Sequence, residues 1–208
     1  MKPKILVRVT TTAWFAALAI PARMSAQEQQ AKKHPPRYTV TDLGTLGGTF
    51  SVAEGINNKG WAGGIGSLPG DNNSHAVLWV RGLKIDLGTF GGPNSATIYA
   101  PNEAGQAAGS AETSVSDPLG EDYCGNGTHL VCLPFIWQYG IKIPLRIPGG
   151  NNGEGAAVNK WGQVVGNAET AAHDSTCVPP QVLQYLPVVW EKGQVKALPT
   201  FLGDPDGV

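Results

Sequence analysis

Apolar positions along this chain fall in short runs divided by glycine-rich polar turns, and none sustains the period of about 3.6 residues that marks an amphipathic helix. Three runs end in tryptophan with a glycine three residues later: Val77-Leu78-Trp79 with Gly82, Phe135-Ile136-Trp137 with Gly140, and Val188-Val189-Trp190 with Gly193. Short apolar or alternating stretches bounded by turn residues are strands. In the third such stretch the pattern predicts strands near 142–145, 154–159, 163–167 and 186–190. An all-β chain follows, because an α/β reading lacks its helices.

The runs belong to a repeat. Asp42-Leu43-Gly44-Thr45-Leu46-Gly47-Gly48 returns as Asp86-Leu87-Gly88-Thr89-Phe90-Gly91-Gly92, and more weakly around Leu145-Arg146-Ile147-Pro148-Gly149-Gly150 and Leu198-Pro199-Thr200-Phe201-Leu202-Gly203. After each full copy comes an Asn-x-x-Gly turn, at Asn57 to Gly60, Asn102 to Gly105 and Asn159 to Gly162, and then a further glycine at Gly64, Gly109 and Gly166. The equivalent leucines are 44, 58 and 53 residues apart, and nearly all of the difference lies in 111–133 and 168–186, which are insertions at one edge of the repeat. About four strands per unit and a period of roughly 40 to 50 residues fit the blades of a β-propeller. The alternative is a β-solenoid, whose coils are shorter. The predicted units are 38–83, 84–141, 142–194 and an incomplete 195–208, so the domain at 38–208 is a partial propeller of three blades and the start of a fourth. Since propellers close with about four to eight blades, the expectation is that further blades follow in a longer protein or that the chain pairs with copies of itself, with 38–43 as an unpaired edge.

The succession of Asp-Leu-Gly-Thr-x-Gly-Gly, Asn-x-x-Gly and apolar-Trp-x-x-Gly resembles the HAF-repeat family of exported bacterial proteins, from about Tyr38 onward. The triplet that names the family stands here as His75-Ala76-Val77, Leu133-Pro134-Phe135 and Leu186-Pro187-Val188, so no copy carries His-Ala-Phe in full. The resemblance implies a secreted repeat protein and transfers no catalytic residue.

Ahead of the repeats, Lys2, Lys4 and Arg8 precede an apolar stretch from Val9 to Ala22 that a small-residue site at Ser25-Ala26 closes. That is the order of a secretory signal, at 1–26, too short for a spanning helix and broken by Pro21. A polar linker at 27–37 with Pro35-Pro36 follows. The expected location is outside the cytoplasm, secreted or periplasmic or at the cell surface, with no membrane span after cleavage. Removing the signal leaves 11 basic against 16 acidic residues, with the basic ones scattered apart from Lys32-Lys33. A nucleic-acid partner is thereby disfavoured, since phosphate binding needs clustered cations.

The three cysteines, Cys124, Cys132 and Cys177, all lie in the insertions, and export to an oxidising compartment favours disulfides. A bridge from Cys124 to Cys132 is expected, with Cys177 left over or serving as an alternative partner. His75, His129 and His173 share no ligand spacing, and neither Asp71-Asn72-Asn73 nor Asp204-Pro205-Asp206-Gly207 has the distal Glu of a calcium loop, so no metal and no cofactor are expected. The recurring tryptophans Trp79, Trp137 and Trp190 are assigned to packing. The non-recurring Trp61 and Trp161, together with His129, are the candidates for ligand contact. Variable loops on a repeated scaffold point to a non-catalytic module that binds extracellular protein or glycan. The alternative is a propeller-based hydrolase or lyase, in which His129, Glu121 and Asp122 would converge.

Overall fold

The computed structural model describes residues 37–203. The secretory signal, the linker up to Pro36 and the Asp204-Pro205-Asp206-Gly207 turn lie outside them. Twelve strands and no helix make up the described residues, arranged as three four-stranded antiparallel sheets. The first holds β1 (Ser51–Ile56), β2 (Ala62–Ser67), β3 (Ser74–Val80) and β4 (Leu83–Asp86); the second β5 (Gly91–Ala96), β6 (Ala107–Ser116), β7 (Leu130–Gln138) and β8 (Ile141–Pro144); the third β9 (Gly153–Val158), β10 (Val164–His173), β11 (Leu183–Glu191) and β12 (Gln194–Ala197). Each is a meander in which neighbours in sequence are neighbours in the sheet.

Turn chemistry explains the local order. The last hairpin of each sheet turns on Arg81-Gly82, Tyr139-Gly140 or Lys192-Gly193, with φ of 51° and 80°, 51° and 82°, and 50° and 75°. Two consecutive residues at positive φ match the right-handed twist of the flanking strands, and glycine takes the second place without a steric cost. The glycine three residues after each tryptophan is that residue. In the Asn-x-x-Gly turns, the Asn57 Oδ1 accepts the N–H groups of Lys59 and Trp61, Asn102 Oδ1 those of Ala104 and Gln106, and Asn159 Oδ1 those of Trp161 and Gln163.

The same asparagines link the sheets. Asn57 Nδ2 donates to Pro101 O and Asn102 O of the second sheet's turn, and Asn102 Nδ2 donates to Asn159 O of the third sheet's turn, at 2.8 Å. Side chains alternate across β3, β7 and β11, so the two residues that flank each tryptophan face the opposite side of the sheet from it. Ala76 and Leu78 pack with Leu87, Phe135 and Trp137 of the second unit, while Ala108 and Ile136 pack with Val158, Val188 and Trp190 of the third. The tryptophans are core residues: Trp79, Trp137 and Trp190 are 4%, 9% and 2% exposed. Each such side chain contributes about 2–3 kcal/mol by burial. Trp79 Nε1 donates to Gly44 O and Trp190 Nε1 to Arg146 O, so the linker that enters each of those sheets also satisfies its indole.

Observed strands agree with those expected over 142–197, with one change of phase. The strand at Ile141–Pro144 pairs with β7 and closes the second sheet, and Gln194–Ala197 likewise closes the third. Sheet boundaries thus fall one strand later than the sequence repeat boundaries, and the strand expected to open a fourth unit is the last strand of the third. The edge expected at 38–43 forms no strand; Tyr38 and Val40 are exposed there. The insertions are not loops alone, because they lengthen two hairpins: β6 and β10 run to 10 residues each where β2 has 6.

Candidate functional site

The repeated glycine motif closes on itself through the same hydrogen bonds in its first two copies. Gly44 N and Gly88 N donate to Asp42 Oδ1 and Asp86 Oδ1, and the hydroxyls of Thr45 and Thr89 donate to Gly48 O and Gly92 O. The second glycine of each pair lies against a polar side chain of the second strand. A Cβ on Gly48 would stand 2.2 Å from Ser67 Oγ, one on Gly92 2.6 Å from Glu112 Cβ, and one on Gly150 2.2 Å from Glu169 Cβ.

These side chains carry a recurrent carboxylate. Glu112 Oε2 accepts Asn94 N and Nδ2, and Glu169 Oε2 accepts Asn151 N and Asn152 N. In the first sheet the equivalent position is Ser67, and Asp71 supplies the charge: its Oδ1 accepts Thr49 N and the Ser67 hydroxyl. The Thr49 N–H, then the hydroxyls of Ser67 and Thr49, hold the Asp71 carboxyl below the usual carboxylate range. Glu112 and Glu169 are buried, at 1% and 0% exposure, and their lone pairs end on amides and hydroxyls. Sequence reasoning missed them. The signal was present in Ala111-Glu112-Thr113 and Ala168-Glu169-Thr170, each beginning two residues after the repeated glycine.

The insertions are tied down by the same chemistry. Glu112 Oε1 accepts Asn126 Nδ2 and the Thr128 hydroxyl, which folds the loop after β6 back over its sheet. Cys124 and Cys132 lie at disulfide distance, with S–S 1.90 Å and Cα–Cα 6.2 Å, and tether the loop to β7. Glu121, fully buried, accepts Val182 N, Leu183 N and Gln181 Nε2 through Oε1, joining this insertion to that of the third sheet. Burial, reinforced by the charges of Glu169 and Asp117, pushes the Glu121 carboxyl up.

Bounded by residues of all three sheets and by the loop after β6 lies a cavity of about 280 Å³, lined by Ser74, Asn94, Ser95, Ser110, Tyr123, Asn126 and Glu154 among others. It shares Ser74, Asn94 and Asn126 with a shallower depression of about 430 Å³ that reaches Thr49, Phe50, Asp71, Asn72 and Asn73. The two make one groove. No Lys, Arg or His lines either part. Burial raises the Glu154 carboxyl, and the Tyr123 phenol is raised by burial and then by the charges of Glu154 and Glu169. The groove therefore offers hydroxyl, amide and carboxyl groups between two aromatic rings, Tyr123 and Phe50, with no cation.

None of the three expected ligand contacts lies in this groove. Trp61 is half-buried between the first and second sheets, against Gly105, and lines a separate apolar cavity of about 150 Å³ with Leu78, Ile85 and Trp137. Lys59 Nζ and Arg81 lie 4.9 and 5.9 Å from its ring. Trp161 is 73% exposed on the third sheet's turn, with Lys160 Nζ 4.5 Å from its ring. His129 is exposed, at φ 53°, and its Nδ1 sits 2.8 Å from Gly120 O. Of the residues expected to converge in an enzyme, Glu121 is bonded to the Val182 and Leu183 amides, Asp122 Oδ2 to Gly127 N and His129 Nδ1 to Gly120 O, and Glu121 is buried while His129 is exposed. His75 lies 2.9 Å from Asp86 through Nδ1, as a hydrogen-bonded structural histidine does. Cys177 Sγ lies 3.8 Å from Leu183 O, outside the bridge. Among the described residues no group of three or more His, Cys, Asp or Glu is placed to hold a metal ion, and no helix is long and apolar enough to cross a membrane. Comparison with protein-family models, with characterised proteins and with solved structures yields no match to this chain.

Proposed function

We propose that this chain is an exported, non-catalytic binding module built from consecutive blades of a propeller-like, HAF-type repeat, and that its polar groove takes a neutral glycan. The carrying observation is the lining of the groove: serine and asparagine side chains, the Tyr123 and Phe50 rings and the Glu154 and Asp71 carboxyls, without a single basic residue. Hydroxyl-rich ligands exchange hydrogen bonds with such groups and stack on an aromatic face, whereas phosphate or sulfate esters need the cations that are missing here. The paired Cys124 and Cys132 support the exported location, since thiols in a reducing compartment stay reduced.

The test is a glycan array followed by calorimetry on the hits. Neutral oligosaccharides should bind and sulfated ones should not. Glu154→Gln and Ser74→Val, which alter the lining without touching the carboxylates that hold the sheets, should each weaken binding by about tenfold. A protein that binds no neutral glycan at millimolar ligand, or variants that bind as tightly as the parent, would sink the reading.

A further inference from the structure

We propose that Glu121 is a proton-operated clasp between the insertions of the second and third sheets, closed while its carboxyl carries a proton and released when the carboxyl ionises. Three buried acids meet where those insertions touch: Asp117 and Glu121 in the loop after β6, and Glu169 on β10, at 6%, 0% and 0% exposure. Two amide nitrogens lie between them. Asn152 Nδ2 donates to Asp117 Oδ2 and Glu169 Oε1, and Gln181 Nε2 donates to Glu169 Oε1 at 3.0 Å and to Glu121 Oε1 at 3.1 Å. The Oε1 atoms of Glu121 and Glu169 therefore stand no farther apart than those last two bonds laid end to end. Among the described residues no ion pair neutralises any of the three acids, and carboxyl groups this close resist ionising together.

Hydrogen bonding decides which of them holds the proton. Glu169 is filled at both oxygens, Oε2 by Asn151 N and Asn152 N and Oε1 by the two side-chain amides. Asp117 is filled too, Oδ1 by Leu119 N and Glu121 N and Oδ2 by Asn152 Nδ2. Glu121 is one-sided. Its Oε1 accepts Val182 N and Leu183 N, both at 2.7 Å, and Gln181 Nε2, while its Oε2 is buried without a hydrogen-bond partner among the described residues. A bare oxygen on a buried carboxylate is the half of the ion that water would have solvated, and it is where a proton settles. Burial raises the Glu121 carboxyl; the Leu183 and Val182 N–H groups oppose the rise, and the charges of Glu169 and Asp117 add to it.

The other titratable groups around the contact are Asp122, bonded to Gly127 N, His129, on Gly120 O, Tyr123 against Tyr185, Glu154 beside Tyr123, Asp174, whose N–H meets Val182 O, and His173, exposed and opposite Leu183 in the β10–β11 register. None supplies Oε2 with a donor. Ionising Glu121 thus sets an uncompensated charge beside two others, and opening the contact to water relieves it. What the opening frees is the loop after β6, whose Tyr123, Cys124 and Asn126 line the groove. Acid fastens that wall and alkali loosens it.

The inference stands apart from the glycan reading, because both measurements are made on the full-length protein without a ligand. The carboxyl carbon resonance of Glu121, assigned by its loss in Glu121→Gln, should titrate well above the ordinary value of 4.5. The closed clasp binds one proton more than the open one. Protection of the Val182 and Leu183 amides from hydrogen exchange, corrected for intrinsic rates, should therefore be full below that value, fall by about tenfold per pH unit above it, and level off once the closed form has ionised. Glu121→Gln keeps the acceptor and cannot ionise, so protection should stay high across the series, whereas Glu121→Ala should lose it at every pH. A Glu121 that titrates at or below its ordinary value overturns the inference. So does protection that does not fall with pH in the parent, or that falls as steeply in Glu121→Gln.

Discussion

Glycine at one position answers a side chain at another. Gly150 is fixed by contact, because a methyl group there would overlap Glu169, whereas Gly140 has open space around its missing Cβ and is fixed by its φ of 82°. The two substitutions to alanine should therefore differ in kind. Gly150→Ala should lower stability by about 3 kcal/mol through overpacking, and Gly140→Ala by about 1 kcal/mol through backbone strain, read as shifts in the urea midpoint. Equal costs would mean that the Glu169 side chain moves aside freely. Lys142 makes a second prediction at this scale. Its Nζ is buried without a hydrogen-bond partner among the described residues, 4.5 Å from the Phe90 ring, and burial pushes it down to about 8, against the opposing pull of Asp86. An unfolded lysine near its usual 10.5 then binds more protons than the folded one, so stability rises with pH between about 8 and 10.5. Lys142→Met should flatten that rise in a series of denaturation curves, and a slope unchanged from the parent would show that Lys142 is not its source.

The first two Asn-x-x-Gly turns use the two ends of one amide for two purposes. Asn102 Oδ1 accepts Ala104 N and Gln106 N within its own turn, while Nδ2 reaches across to Asn159 O and also donates to Gln106 Oε1. Asn102→Asp keeps the acceptor and loses the donor; Asn102→Ala loses both. The aspartate variant should cost more than a turn position alone would, because it sets a carboxylate oxygen against a carbonyl, and hydrogen exchange should reveal looser protection at Gly162, not at Gly105. For the alanine variant protection should fall at both turns, with a total loss of about 2 kcal/mol. Loss at both turns in the aspartate variant would refute the division of labour. The turn half of this arrangement was legible in the sequence, because an asparagine that binds its own backbone two residues on is a local event. The cross-sheet half was not, since nothing in a single turn says which carbonyl its free amide hydrogens will meet.

Over the whole molecule, the sequence by itself determined the all-β class, the strand positions over the third unit and the recurring buried tryptophans, and it favoured Cys124 with Cys132 over a bridge to Cys177. Each of these is written in spacing: period-two runs, glycines at places of positive φ, and two cysteines closing a short loop. The tertiary structure decided what spacing leaves open. It placed the fourth strand of each sheet in the sheet before the next repeat motif, because hairpin pairing is local while the boundary between repeat copies is only a convention of alignment. It moved Trp61, the residue after its Asn-x-x-Gly turn, into the packing between two sheets and left Trp161, inside its own turn at the place Lys59 and Ala104 hold in the others, exposed as they are. It also brought Glu112 and Glu169 inside, against the usual preference of carboxylates for water, since amide donors from other segments converge on them and offset the cost of burial. Burial of a polar group depends on partners far away in the chain, and that is the information a sequence read from one end to the other does not hold.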